Sequence, residues 1–290
     1  MCYPKLRYHM TTLVTQVNDI KNYLVNSKRE LALVPTMGSL HAGHISLIKA
    51  ARYDSKTVVV YIFINPLQFG PHEDFNIYPR DLDNDLKICE ENNVDFVFAP
   101  GEKEIYPEKN IEQYIIHPPE NLASDLCGRT RKSFFNGIAT VLKRFFDIIQ
   151  PDLAYFGEKD LQQMYVVRWL IMQYAMPIFL KPCPIIREEN GLACSSRNVF
   201  LSSKEKAIAS NIYKSLLLAR KNIKSGIFTV SKAILESLVF LSQFPGIKVE
   251  YLEARDKNTF SKVDEDRTKG FYYLIAARVG NVRLIDNIEI

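Results

Sequence analysis

The sequence predicts an α/β protein, with a parallel-sheet domain followed by a smaller α+β domain. Three observations carry that reading. Short apolar runs alternate with helically spaced stretches from residue 31 to residue 180, the pattern of strands joined by crossover helices. The strongest run, 57–64, is apolar and β-branched at both parities, as in a strand buried on both faces of a parallel sheet. Beyond Arg187 two helical stretches precede three consecutive strand-like runs, which ends the alternation.

The elements follow in order. Residues 31–34 form a strand, Pro35-Thr36-Met37-Gly38 a turn, and 45–52 a helix. Residues 57–64 give the next strand. Residues 81–92 have helical spacing, with Leu82, Leu86 and either Cys89 or Ile88 inward. Then come a strand at 94–98, a helix at 138–149, a short strand at 153–156, a helix at 161–174 and a strand at 178–180. Right-handed crossovers are expected between parallel strands. In the second part 203–225 and 230–244 are helices, and 247–254, 271–279 and 282–285 are strands. The change of pattern gives domains 1–186 and 187–290, without internal repeats.

Composition narrows the function classes. A chain of 290 residues favours two domains over one. Its 47% hydrophobic and 24% charged residues fit a soluble globular protein. The net charge of +4 comes from scattered basic residues, not the clustered basic face of a nucleic-acid binder. It suits small anionic substrates. Five cysteines, Cys2, Cys89, Cys127, Cys183 and Cys194, are odd in number and form no Cys-x-x-Cys. Neither a disulfide framework nor a zinc cluster is indicated, and reduced cytosolic thiols are expected. Residues 1–10 lack the apolar core of a signal peptide. No apolar run approaches the roughly 18 residues of a membrane span.

Four segments carry candidate chemistry. In His41-Ala42-Gly43-His44 two imidazoles lie on one side of a helix's first turn, just after a strand and a glycine turn. Such a turn offers backbone N–H groups and the positive end of a helix dipole to an anion, and Gly43 allows close approach. A single buried histidine is usually structural; a pair flanking a glycine here points to a triphosphate and to a nucleotide-consuming enzyme. Asn65-Pro66-Leu67-Gln68 follows the strongest strand, at the end where open α/β sheets bind ligands. A plain Asn-Pro turn accounts for Asn65 and Pro66 but leaves Gln68 unexplained. Gly157-Glu158-Lys159-Asp160 follows another strand; Lys159 can meet phosphate oxygens, and Asp160 or Glu158 can cap a helix or meet a ribose. Cys194-Ser195-Ser196-Arg197 sets two hydroxyls beside a guanidinium, a pattern suited to an oxyanion. Cys194 itself reads as a packing residue, since no base is paired with it.

Together these segments resemble the pantothenate synthetase family, ligases that join pantoate to β-alanine. The matching text is 35–44, 63–70, Tyr78-Pro79-Arg80, 156–163, 191–198 and the closing Arg283-Leu284-Ile285-Asp286-Asn287, in the family's order and spacing over residues 11–290. His-x-Gly-His alone would imply only an adenylating domain of the nucleotidylyltransferase type. The resemblance implies a Rossmann-like N-terminal domain, a smaller lid-like C-terminal domain, and a cytoplasmic homodimer using ATP and Mg²⁺. It assigns ATP contacts to Met37, Gly38, Ser39, Leu40, His41, Ala42, Gly43 and His44, to Gly157, Glu158, Lys159 and Asp160, and to Ile186, Cys194, Ser195, Ser196 and Arg197. It assigns pantoate to Gln68 and Gln163, with Gln68 also near β-alanine, and makes His44 a catalytic acid. Asp85 is the candidate Mg²⁺ ligand, against a solvated helix face. The chain departs from the family's Arg-Pro-Gly-His-Phe at Arg131-Lys132-Ser133-Phe134-Phe135, where Phe134 replaces the histidine. In the implied reaction His41, His44, Lys159, Arg197 and Mg²⁺ supply a positive field to the reacting phosphorus. The rival readings are another nucleotidylyltransferase, which has no reason for both Gln68 and Gln163, and a non-enzymatic nucleotide- or RNA-binding protein.

Overall fold

The computed structural model describes residues 10–25, 30–71, 73–107, 111–263 and 267–290. The readings of Cys2 and of the chain's first nine residues fall outside them. In chain order the described elements are β1 (Thr12–Val14), α1 (Val17–Val25), β2 (Leu31–Thr36), α2 (Ala42–Asp54), β3 (Thr57–Ile62), α3 (Leu82–Glu91), β4 (Phe96–Phe98) and α4 (Glu102–Ile105). There follow α5 (Glu120–Ala123), α6 (Cys127–Thr130), α7 (Phe134–Ile149), β5 (Leu153–Gly157), α8 (Leu161–Gln173) and β6 (Phe179–Cys183). The chain closes with α9 (Ser203–Lys224), α10 (Val230–Ser242), β7 (Ile247–Asp256), β8 (Phe271–Val279) and β9 (Val282–Glu289). By contacts it divides into two units. One comprises Met1–Pro118, Arg131–Gly157 and Val166–Cys183; the other comprises Pro119–Thr130, Glu158–Tyr165 and Pro184–Ile290. The sequence pattern places one cut, at 186/187. The second unit begins its long segment at Pro184 and also gathers two earlier pieces of chain.

The first unit is a six-stranded parallel sheet in the order β1-β4-β3-β2-β5-β6. Its faces are set by strand alternation. Val58 and Val60 of β3 pack with Leu47, Ile48 and Ala51 of α2. On the opposite parity Tyr61 stacks on Phe145 of α7, with centroids 3.7 Å apart, and Phe63 and Phe98 also meet that ring. The double burial expected of the 57–64 run is therefore present, although the strand ends at Ile62. Strand β2 lies between β3 and β5, so the chain reverses its direction of travel across the sheet there. The carboxyl end of β2 is a topological switch point, where parallel sheets place ligands.

Helix α3 differs from expectation at Leu82 and Asp85. Its buried residues are Asp85 and Cys89, whereas Leu82 is exposed. The spacing and most of the phase hold, since Cys89 is in the core and Leu86 and Ile88 pack against it. Only Leu82 falls outside, and the inward Asp85 is a position that an apolar count does not register. Strand β1 and helix α1 precede the first element that the sequence reading places, at residue 31.

The second unit packs α9 and α10 against the antiparallel sheet β7-β8-β9. Its core includes Phe271, Tyr273, Ile275 and Leu216, all essentially buried. The α9 start is fixed by a reciprocal cap: Ser202 accepts from the Glu205 N–H, and the Glu205 carboxylate accepts from the Ser202 N–H at 2.9 Å. The two earlier pieces join through Gln162. Its amide donates to the Leu122 and Asp125 carbonyls at 2.9 and 2.8 Å and accepts from the Cys127 N–H at 3.1 Å.

Candidate active site

In the first unit the site is built on the loops after β2 and β3. Thr36 ends β2; its hydroxyl donates to the Tyr61 carbonyl at 2.8 Å and accepts from the Gly38 N–H at 3.2 Å. The turn continues with two left-handed residues, Gly38 at φ +78° and Ser39 at φ +51°. The Ser39 and Leu40 N–H groups donate to the Asp85 carboxylate at 2.8 and 2.7 Å. His41 then caps α2, its Nδ1 accepting from the Gly43 N–H at 3.1 Å. The His44 Nδ1 accepts from the His41 N–H at 3.4 Å. The two rings lie 4.0 Å apart, tilted by 32°.

This geometry bears out the strand–turn–helix reading and the shared face of the two imidazoles. It corrects the expectation of open backbone N–H groups. Those of Ser39, Leu40, His41 and Gly43 are all engaged, because the capping side chains and Asp85 satisfy helix-start donors that would otherwise be orphaned. What the turn presents instead are imidazoles. With Nδ1 accepting in each, the proton of the neutral ring sits on Nε2, which makes each ring a hydrogen-bond donor.

After β3, Asn65 caps the short turn Pro66–Gln68 and is 1% exposed. Its Oδ1 accepts from the Leu67 N–H (3.2 Å) and the Tyr106 hydroxyl (2.8 Å); its Nδ2 donates to the Gly137 carbonyl (3.0 Å) and to Gln68 Oε1 (3.2 Å). Gln68 Nε2 donates to Met37 Sδ at 2.8 Å. The loops after β2 and β3 therefore meet. Arg131 forks onto Glu73 through two 2.7 Å bonds, donates to the Gln68 carbonyl at 3.3 Å and lies 3.5 Å from the Phe134 ring centre. The segment that departs from the family pattern is thus tied to Gln68.

In the second unit, Glu158–Asp160 is a 3₁₀ turn in which the Lys159 ammonium pairs with Asp160 at 3.0 Å. Burial, and then Glu289, push the Glu158 carboxyl pKa up. Ile186 accepts from the Cys194 N–H at 2.9 Å, and Arg187 bridges to Ala193. Ser195 caps the turn Ser196–Phe200, accepting from the Arg197 N–H at 3.3 Å; Ser196 is buried. Burial, then Glu188, raise the Cys194 thiol above its usual value, which suits packing and not nucleophilic attack. Gln163 is half-buried beside the anchoring Gln162.

The family model for pantoate-beta-alanine ligases matches residues 10–289. The chain belongs to this family. A pantothenate synthetase of Aquifex aeolicus is 46% identical over 97% of this chain and 99% of its own length. A crystal structure of the Thermus thermophilus pantothenate synthetase superposes with a TM-score of 0.91 at 38% identity, covering 97% of this chain and 99% of that one. The Francisella tularensis pantoate-beta-alanine ligase, complexed with beta-gamma ATP and beta-alanine, gives 0.79 at 32% identity, covering 96% and 97%.

In this pantoate–β-alanine ligase family member the sheet is the Rossmann-like one that the resemblance implied. Asp85 is not on a solvated helix face: it is 1% exposed, and each oxygen accepts a backbone N–H. Among the described residues no cluster of three or more His, Cys, Asp or Glu side chains could hold a metal ion. The described residues do not make an all-protein magnesium cage. Sequence reasoning also missed Asp286 and Asn287 as anchors. Asp286 forks onto Arg187 at 2.6 and 2.9 Å, and Asn287 donates to the Glu158 and Lys159 carbonyls at 2.7 and 3.2 Å. Two adjacent residues of β9 thereby hold both candidate segments of the second unit. Their place in the closing 283–287 match was the signal available.

Proposed function

We propose that the chain condenses (R)-pantoate with β-alanine to pantothenate through a pantoyl-adenylate, converting ATP to AMP and pyrophosphate. The observation that carries this is the pair of imidazoles at the start of α2, on the loop whose Met37 touches the Gln68 amide. The pantoate carboxylate attacks the α-phosphorus of ATP and pyrophosphate leaves. The β-alanine amine then attacks the acyl carbon and AMP leaves. A carboxylate is already a nucleophile at neutral pH, so alignment and charge neutralisation are the protein's tasks. Nε2–H groups of His41 and His44 donate hydrogen bonds to phosphate oxygens; the catalytic-acid role that the resemblance gives His44 acts in this form, through charge stabilisation of the leaving oxygen. Lys159 and Arg197 are proposed ATP contacts on the second unit. The remaining contacts are those the resemblance assigns: Met37–His44, Gly157–Asp160, Ile186 and Cys194–Arg197 for ATP, and Gln68 and Gln163 for pantoate. Amides hold the acid's oxygens without quenching its charge, as an arginine clamp would. Mg²⁺ is proposed to arrive on the triphosphate, since such ions are bound by few carboxylates and several phosphate oxygens.

The same reading takes the protein to be a cytoplasmic homodimer. Free thiols at Cys89, Cys127, Cys183 and Cys194 fit a reducing compartment. Among the described residues no helix is long and apolar enough to cross a membrane. The test is direct: protein, ATP, Mg²⁺, pantoate and β-alanine are mixed. AMP and pantothenate in equal amounts are expected. AMP formation indifferent to pantoate would end the proposal.

A further inference from the structure

The proposed reaction leaves a buried acid without a task. Asp85 faces inward from α3 and is 1% exposed. Its oxygens accept the N–H groups of Ser39 and Leu40, the residues just before His41. Those amides belong to a turn with two successive left-handed residues, the second of them not glycine. An L-residue with a side chain resists that conformation, and surrounding structure must hold it. The carboxylate lies directly against the turn: a Cβ added at Gly38 would stand 2.9 Å from Asp85 Oδ2. Hydrogen bonds from backbone N–H to a buried carboxylate are charge-assisted and short.

We infer that Asp85 is a positioning residue: it locks the 38–40 turn and so sets where α2 begins and where His41 and His44 stand, without itself binding a metal. The kinetic consequence rests on the ligase reading; the geometric one does not. Asp85→Asn keeps the shape but offers one acceptor and turns an NH₂ toward an N–H group.

The test compares wild type, Asp85→Asn and Asp85→Asn with Ser39→Gly. Three quantities are measured: turnover in pantoate-dependent pyrophosphate–ATP exchange, half-saturating Mg²⁺, and amide hydrogen exchange of the peptide covering 38–44. Asp85→Asn is expected to lower turnover at least tenfold, leave half-saturating Mg²⁺ unchanged and accelerate amide exchange. Ser39→Gly should recover part of the turnover, because glycine accepts the left-handed conformation freely. If Asp85→Asn does not fold, Asp85→Glu carries the same measurements; it keeps the charge but displaces the oxygens by a methylene. A raised Mg²⁺ requirement, unchanged amide exchange, unchanged turnover or no recovery in the double variant would each overturn the inference. An inactive wild type would instead sink the ligase reading, leaving amide exchange to decide the role of Asp85.

Discussion

His41 combines two duties that substitution can separate. Its Nδ1 caps α2, and its Nε2 is proposed to meet phosphate. Asparagine is a good cap and alanine a poor one. His41→Asn is therefore expected to unfold in urea within about 0.5 kcal/mol of wild type, and His41→Ala about 1 kcal/mol lower. Both should lose roughly a hundredfold in adenylate formation, the cost of about 3 kcal/mol of transition-state contact. Equal stability of the two variants would remove the capping role. At Gln68 the charge argument is exposed directly. Gln68→Arg should bind pantoate and yet turn over more slowly, because the guanidinium neutralises the attacking carboxylate; unchanged turnover would refute this. The placement of the histidine pair was legible in the sequence because both rings lie within four consecutive residues at a strand–turn–helix junction. The role of Asp85 was not, because its partners, Ser39 and Leu40, lie 46 and 45 residues away, and nothing in local spacing records them.

The element that positions Gln68 is α7. Gly137 lets this helix lie against the Pro66–Gln68 turn: an added Cβ would stand 2.3 Å from the Leu67 carbonyl oxygen and 2.8 Å from the Gln68 nitrogen. Backbone cannot swing aside as a side chain can, so overpacking here costs on the order of 1–3 kcal/mol or moves the turn. Gly137→Ala should lower stability in urea unfolding and raise KM for pantoate more than KM for ATP. A variant with both KM values unchanged would show that the approach of α7 does not set Gln68. The sequence showed α7 as a helix from its apolar spacing, but a close backbone approach leaves no periodic trace. The 57–64 run declared its double burial through composition, and α3 its core side through Leu86 and Cys89, while the burial of Asp85 in place of Leu82 was hidden.

Across the molecule, the alternation of runs sufficed for the parallel sheet, because crossover connections dictate it. The grouping of 119–130 and 158–165 with the later chain was not legible, because it is made by side-chain contacts such as those of Gln162 and not by chain order. The first unit's stability carries a pH signature. Asp54 at the end of α2 accepts from the Tyr155 hydroxyl at 2.8 Å and from Lys181 at 3.1 Å, which hold its carboxyl below the ordinary value. A depressed carboxyl stabilises the fold above its unfolded pKa of about 4 and loses that contribution as pH falls through the folded value. Asp54→Asn should therefore be less stable than wild type at pH 7, with the gap closing in acid; a gap independent of pH would contradict it. The most direct measurement on the whole site is exchange of labelled pyrophosphate into ATP, with and without pantoate and in the absence of β-alanine. Exchange that requires pantoate and falls about a hundredfold in His44→Ala is the expected result. Exchange without pantoate, or undiminished by loss of that imidazole, would contradict adenylation of the acid at the start of α2.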